Sequence, residues 1–249
     1  MFNESLNLFL KETKYCDCGN PLIKNKAIEI TKGYINNRDK AVALFNYVRD
    51  NILYKFDYWN LKASNTLRKG YGMCTNKNNL LIAMLRAVGI PAGYGILEVK
   101  AREYFGPIML NFFKKRISEE SVHIYTQVYL GDKWVKCDPS TDKILSEKTA
   151  YFNYSTELVY WNGINDALDK ILSQHIISNS GPFDNIDSKL DKKPKNVTFL
   201  KMRLANLYLD FLRTYDKRFN NYEDREKGFL SCLKKKNLFL YLYFKTQIH

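Results

Sequence analysis

Three side chains in this sequence stand where a cysteine nucleophile could be assembled: Cys74, His123 and Asp138. Cys74 follows a glycine-bearing stretch, KGYGM, and opens an apolar helical run, CTNKNNLLIAMLRAVGIPAG. A thiol at a helix start gains from the unpaired amides and the positive dipole end there, which favour thiolate over thiol. Such a nucleophile also needs a base within hydrogen-bond reach, a group that orients the base, and donors for an oxyanion. The cysteine's own amide and its neighbours' are candidate donors. Among the histidines, His249 is terminal and His175 falls in a later helical pattern, whereas His123 sits near the start of a strand. Asp138 ends the next strand, so a hairpin can set it beside His123. Each residue alone has a plainer reading: a packed thiol, a satisfied core histidine, a turn-forming aspartate before proline. Spacing by itself leaves the two readings evenly matched.

The elements that must position these groups are legible in the periodicity. Residues 1–38 read as short helices and loops, with turn chemistry at CGNP. In DKAVALFNYVRDNI, Ala41, Leu44, Phe45, Val48 and Ile52 fall on one helical face. A polar, aromatic stretch, YKFDYWNLKASNTLRKGYGM, leads to the cysteine helix. That helix carries Leu80, Leu81, Met84, Leu85 and Val88 and stops at Gly89-Ile90-Pro91. GYGILEV reads as a strand, and VHIYTQVYL and KWVKCD as two more joined at Gly131-Asp132, a hairpin signal. Residues 100–121 interrupt the strands with EYFGPIMLNFFKKRISEE. That insertion could be a wall or lid of a substrate pocket, with Lys114, Lys115 and Arg116 turned to an acidic partner, or a surface helix packed for stability. Beyond residue 150 the texture turns helical, over 157–176 and 196–219, with a polar loop at SNSGPFDN between them. The expected division is a catalytic core over 1–150 and a mainly helical extension over 151–249, ending in an apolar tail too short to span a bilayer.

Composition bounds the rest. The 249 residues include 39 Lys and Arg against 26 Asp and Glu, a formal charge of +13. Such a field favours acidic partners, although no nucleic-acid motif accompanies it. Five cysteines are odd in number, and Cys16-x-Cys18 has no second Cys/His cluster near it, which argues against both disulfides and zinc. The first residues, MFNESLNLFLKE, lack the apolar run of a signal peptide, and Arg86 breaks the longest apolar stretch. The expectation is a soluble, cytoplasmic protein with no membrane span, no metal and no organic cofactor.

The stretches KAVALFNYVRDNILY, ASNTLRKGYGMCTNKNNLLIAMLRAVGIPAG and HIYTQVYLGDKWVKCDPS together resemble the transglutaminase-like domain, a branch of the papain-like cysteine enzymes. The specific signals are G-x-C before a helix ending L-R-A-x-G-I-P-A, and H…G-x-x-W-x-x-x-D-P-S behind it. They cover residues 39–140 well, the N-terminus loosely and the region after 150 hardly at all. The resemblance implies an α+β, papain-like core with the cysteine helix packed on an antiparallel sheet. It implies Cys74 as nucleophile, His123 as base and Asp138 as the orienting carboxylate, with Trp134 as a core residue of the second strand. Thr75 stands where animal crosslinking enzymes carry tryptophan, which argues against crosslinking, and Tyr125 stands where many relatives have tryptophan. Three functions fit: acyl transfer that forms an amide from an amide or thioester donor, hydrolysis of peptides or amides, or a binding module that kept the fold. The donor could be an acidic carrier protein, which the positive charge would steer, and the acceptor an amine or water.

Overall fold

The computed structural model describes residues 4–105, 109–110, 113, 118–150, 158–168, 173–192, 198–215 and 218–248. Helix α1 (Pro21–Thr31) starts as CGNP suggests, with Pro21 in its first turn and the Asn20 side chain accepting the Leu22 amide at 3.0 Å. Helix α2 (Asn37–Asn51) begins just before the expected Asp39, because Asn36 caps it by accepting the Asp39 amide at 2.8 Å. Its buried stripe is Ala41, Leu44, Phe45 and Val48, as the spacing requires. The polar stretch before the cysteine holds helix α3 (Ala63–Lys69) and two short strands, β1 (Leu53–Tyr54) and β2 (Tyr71–Gly72), paired in parallel.

Helix α4 (Cys74–Ala87) is the axis of the molecule. It packs on α1, α2 and α3 and on the sheet, and every residue from Cys74 to Arg86 is buried. The expected apolar face is therefore only part of it. The polar run Thr75-Asn76-Lys77-Asn78-Asn79 is buried as well, and such a run is tolerable because its polar atoms find partners. Asn79, for example, donates to the Tyr15 carbonyl at 2.9 Å and accepts from the Tyr94 hydroxyl at 2.6 Å.

Strands β3 (Ala92–Lys100), β4 (Glu120–Leu130), β5 (Lys133–Cys137) and β6 (Ile176–Phe183) form an antiparallel sheet in the order β5-β4-β3-β6. The β4–β5 hairpin turns at Gly131 and Asp132, with φ of 54° and 63°. Two positive φ values are what a tight hairpin of this twist needs. Thr126 faces Cys137 across it, which sets Asp138 just past the strand end and alongside β4.

The region after residue 150 corrects two expectations. Residues 158–168 are not helical. Asn162 folds an Asx turn there, accepting the amides of Ile164 and Asn165 at 2.9 and 3.0 Å, and Gly163 takes a φ of 73°. The SNSGPFDN segment expected as a loop is the edge strand β6. Its residues Ile177 to Gly181 are exposed and the strand is held by backbone pairing to β3, so no alternation of side chains marks it.

Among the described residues three hydrophobic clusters result, the smallest being Leu97, Val99 and Tyr125 on the sheet. Of the two larger, one surrounds α4 and the sheet. The other gathers helices α6 (Phe199–Thr214), α7 (Tyr222–Lys236) and α8 (Leu238–Ile248) with Met109, Leu110, Phe113 and Leu145, the last from α5 (Lys143–Thr149). The described part of the 100–121 insertion thus starts as a single turn, Ala101–Phe105, and later buries three side chains against the C-terminal helices. Lys114, Lys115 and Arg116 lie outside the described residues. A buried ion pair joins the two parts: Arg213 of α6 reaches Asp142, the N-cap of α5, at 2.6 Å, with both side chains at most 6% exposed.

Candidate functional site

The start of α4, the start of β4 and the end of β5 meet at one point. Cys74 is the first residue of the helix and is 4% exposed. His123 Nε2 lies 2.5 Å from Asp138 Oδ2, with the two side chains 3% and 1% exposed. That bond commits Nε2, which leaves Nδ1 to exchange a proton with the thiol. The Cys74 sulfur is a hydrogen-bonding neighbour of the ring. The structure therefore brings together all three residues singled out by spacing. His175, half-buried at the head of β6, pairs with Gln174 at 3.5 Å instead, and His249 lies outside the described residues.

Electrostatics favour a charged pair. Burial works against protonation of His123, but the Asp138 carboxylate and the Cys74 sulfur outweigh it by charge and hydrogen bonding. They hold its pKa well above the ordinary histidine value. Burial would likewise raise the Asp138 pKa, yet the His123 charge and the bonds from His123, Ser140 and Asn78 keep it below the ordinary carboxylate value. The adjacent Cys137 shows the contrast: burial, with the charges of Asp138 and Asp166, pushes its thiol well up.

Sequence reasoning missed the residue that ties these elements together. The Asn78 side-chain nitrogen is 3.1 Å from Asp138 Oδ1, 3.1 Å from the Ser140 hydroxyl, 2.8 Å from the Ile124 carbonyl and 3.0 Å from the Cys74 carbonyl. Its oxygen accepts from the Thr126 hydroxyl at 2.8 Å. The amide thus spans helix, β4 and the turn that follows β5, and Ser140 closes the ring by donating its amide (3.0 Å) and its hydroxyl to Asp138 Oδ1. A signal existed in the sequence: Asn78 is four residues past Cys74, on the same helical face.

At the helix start, the first amides have no acceptor within the helix. Asn76 fixes the approach by accepting the Met73 amide at 3.1 Å and donating to the Tyr58 carbonyl at 3.0 Å. The amides of Cys74 and Thr75 belong to that first turn. A cavity of about 480 Å³ has Tyr58, Lys69 and Tyr71 on one side and Phe199, Met202 and Arg203 of α6 on the other; Cys74, His123 and Asp138 are not among its lining residues. Tyr71 precedes Cys74 by three residues, so their Cα atoms are at most ~11 Å apart. The volume suits a small molecule or short peptide segment.

Two neighbours expected to matter differ in setting. Tyr125 is buried, donates to Asn179 of β6 at 2.7 Å, and occupies the space a Cβ on Gly95 would need. Trp134 is half-buried rather than central, against Phe9 and Tyr129 at ring distances of 4.7 and 5.4 Å. Among the described residues, no group of three or more His, Cys, Asp or Glu is placed to hold a metal.

Residues 24–139 match the family model described as the transglutaminase-like superfamily. No curated protein matches the sequence. Among solved structures, the chain is similar to one described as a putative cysteine protease from Cytophaga hutchinsonii, at 20% identity and a TM-score of 0.44, covering 56% of this chain and 43% of that one. It is also similar to a putative protease from Parabacteroides distasonis ATCC 8503, at 16% identity and a TM-score of 0.34, covering 53% of this chain and 25% of that one. The chain spans less than half the length of either.

Proposed function

Residues 24–139 form a transglutaminase-like domain, and from that premise we propose that the protein is a cysteine-dependent acyltransferase that makes an amide from an amide or thioester donor. The observation that carries the chemistry is the buried His123–Asp138 bond of 2.5 Å beside a cysteine at a helix start. In the first half-reaction, the Cys74 proton rests on His123 Nδ1, the charged state the site favours, and the thiolate forms a C–S bond to the donor carbonyl. The oxyanion is held by the Cys74 and Thr75 amides. His123 then gives its proton to the departing amine or thiolate, leaving a thioacyl-enzyme. In the second half, His123 takes a proton from the incoming amine as nitrogen attacks the thioester carbon, and the C–S bond breaks to regenerate Cys74. Asp138 keeps the imidazole oriented through both halves.

Transfer rather than hydrolysis is favoured by exclusion of water: Cys74, His123 and Asp138 are 4%, 3% and 1% exposed. A dry site lets a bound amine compete with water for the same carbonyl. Partition of the thioacyl-enzyme decides the matter. With a thioester donor, an added amine should convert the product from free acid to amide at an unchanged rate of enzyme acylation. Free acid as the only product across a broad panel of amines leaves a hydrolase of the same mechanism.

A further inference from the structure

Helix α8 lies outside the transglutaminase-like domain and outside the proposed chemistry, yet it presents an unusual surface. In its sequence, LFLYLYFKTQI, the first seven residues are apolar or aromatic on every side. One side is spent on the fold: Leu240 and Phe244 are 1% and 0% exposed in the second cluster, with Phe244 against Phe229 and Phe113 at 5.7 and 6.1 Å. The opposite side carries Leu238, Phe239 and Leu242, which are 57%, 70% and 53% exposed. Their spacing sets them on one face.

Cations surround that face. Lys234, Lys235 and Lys236 are exposed in the last turn of α7, directly before it, and exposed Lys245 follows Leu242 by one turn. None of the four has an ion-pair partner among the described residues. No acidic residue occurs in the sequence after Glu226. Two alternative occupants fit poorly. A second copy packed about a two-fold axis parallel to α8 would set the same lysines against each other. A protein interface centred here would be rich in lysine, a residue depleted from such surfaces.

We propose that this face docks on the surface of an anionic phospholipid bilayer, with Leu238, Phe239 and Leu242 below the headgroups and the lysines on their phosphates. Exposed apolar side chains flanked by exposed cations are the composition of an interfacial helix. Among the described residues no helix is long and apolar enough to cross a membrane. At 11 residues, α8 is ~16 Å long by its rise per residue, so it lies in the interface plane. Docking would hold the transglutaminase-like domain at the membrane surface.

Cosedimentation of the full chain with vesicles tests this. Vesicles of phosphatidylcholine with phosphatidylglycerol should bind the protein, those of phosphatidylcholine alone should bind it at least about tenfold more weakly, and salt should reverse the binding. The variant Phe239→Ser/Leu242→Ser should weaken binding by about tenfold or more, consistent with loss of buried apolar area. The triple variant Lys234→Gln/Lys235→Gln/Lys236→Gln should abolish the preference for anionic lipid. These side chains are exposed, and unchanged circular dichroism melts would show that each variant folds. Equal sedimentation of wild type and folded variants overturns the proposal. So does equally tight binding to polyglutamate, which needs charge alone, or self-association lost in the Phe239→Ser/Leu242→Ser variant, which would assign the face to a second copy.

Discussion

Replacing Asp138 with Asn keeps the shape of the site and removes its charge. Asp138 Oδ1 accepts the Ser140 amide and hydroxyl and the Asn78 nitrogen, so the oxygen of an Asn must stay on that side. Its NH2 group would then face His123 Nε2 in place of the carboxylate oxygen now at 2.5 Å. A donor there forces Nε2 to accept, which puts the ring proton on Nδ1, the nitrogen that must take the proton of Cys74. The wrong tautomer should lower kcat by about ten-thousand-fold. The lost charge-assisted bond should lower stability by ~1.5–3 kcal/mol, a fall in melting temperature of roughly 3–12 °C for a chain of this size. The pH dependence gives a second readout. His123 is raised above its ordinary value, so its contribution to stability is complete below pH ~6.5 and is lost as pH rises through the folded value. Asp138 is lowered, so its contribution is present above pH ~4 and is lost as pH falls through its folded value. In Asp138→Asn both dependences should flatten, and the alkaline limb of kcat/KM should move to lower pH. Single-turnover acylation, thermal melts and pH–rate profiles measure all three. A variant within tenfold of wild type, with its alkaline limb unmoved, would refute the assignment of Asp138 as the orienting group.

Three further outcomes follow from the packing. Asn78→Ala removes the amide that spans α4, β4 and the Asp138 turn; kcat should fall by about 10–100-fold with little change in KM, while acylation retains its reliance on Asp138. Arg213→Leu leaves the buried Asp142 carboxylate without its cation; stability should fall by ~3–5 kcal/mol, read by urea unfolding, and Arg213→Leu/Asp142→Leu should recover part of it. Gly95→Ala sets a methyl 2.0 Å from the Tyr125 ring; the overpacked site should lose ~1–3 kcal/mol, and Tyr125→Ala in the same chain should relieve it.

How far the sequence reached depended on where each element takes its stability. Helices α2 and α4 bury apolar side chains at helical spacing, and the β4–β5 hairpin carries its turn residues, so their positions and the convergence of Cys74, His123 and Asp138 were legible. Strand β6 was not, because its polar, exposed side chains carry no alternation and its stability comes from backbone bonds to β3. Residues 157–176 misled in the other direction: ELVYWNGIND has scattered apolar residues at helical intervals, but Asn162 and Gly163 break the described part. The role of Asn78 was hidden because a buried polar hub reads in sequence like the exposed face of a helix. The Arg213–Asp142 pair joins residues 71 apart, a relation that no local pattern carries.

The account stands on Cys74 forming the covalent intermediate. Alkylation alone is a poor probe, since Cys16 and Cys18 also interact. Hydrogen bonding from Cys16 lowers the Cys18 pKa to about 7, with Arg86 assisting and burial opposing, so a second thiol competes for reagent. Rapid acid quench after mixing the intact chain with an acyl thioester donor, followed by intact-mass and peptide mapping, reads the intermediate itself. One acyl group per chain is expected, on the peptide containing Cys74, absent from Cys74→Ala and strongly slowed in His123→Ala. An acyl group on Cys18 or another cysteine, or undiminished acylation of Cys74→Ala, would contradict it.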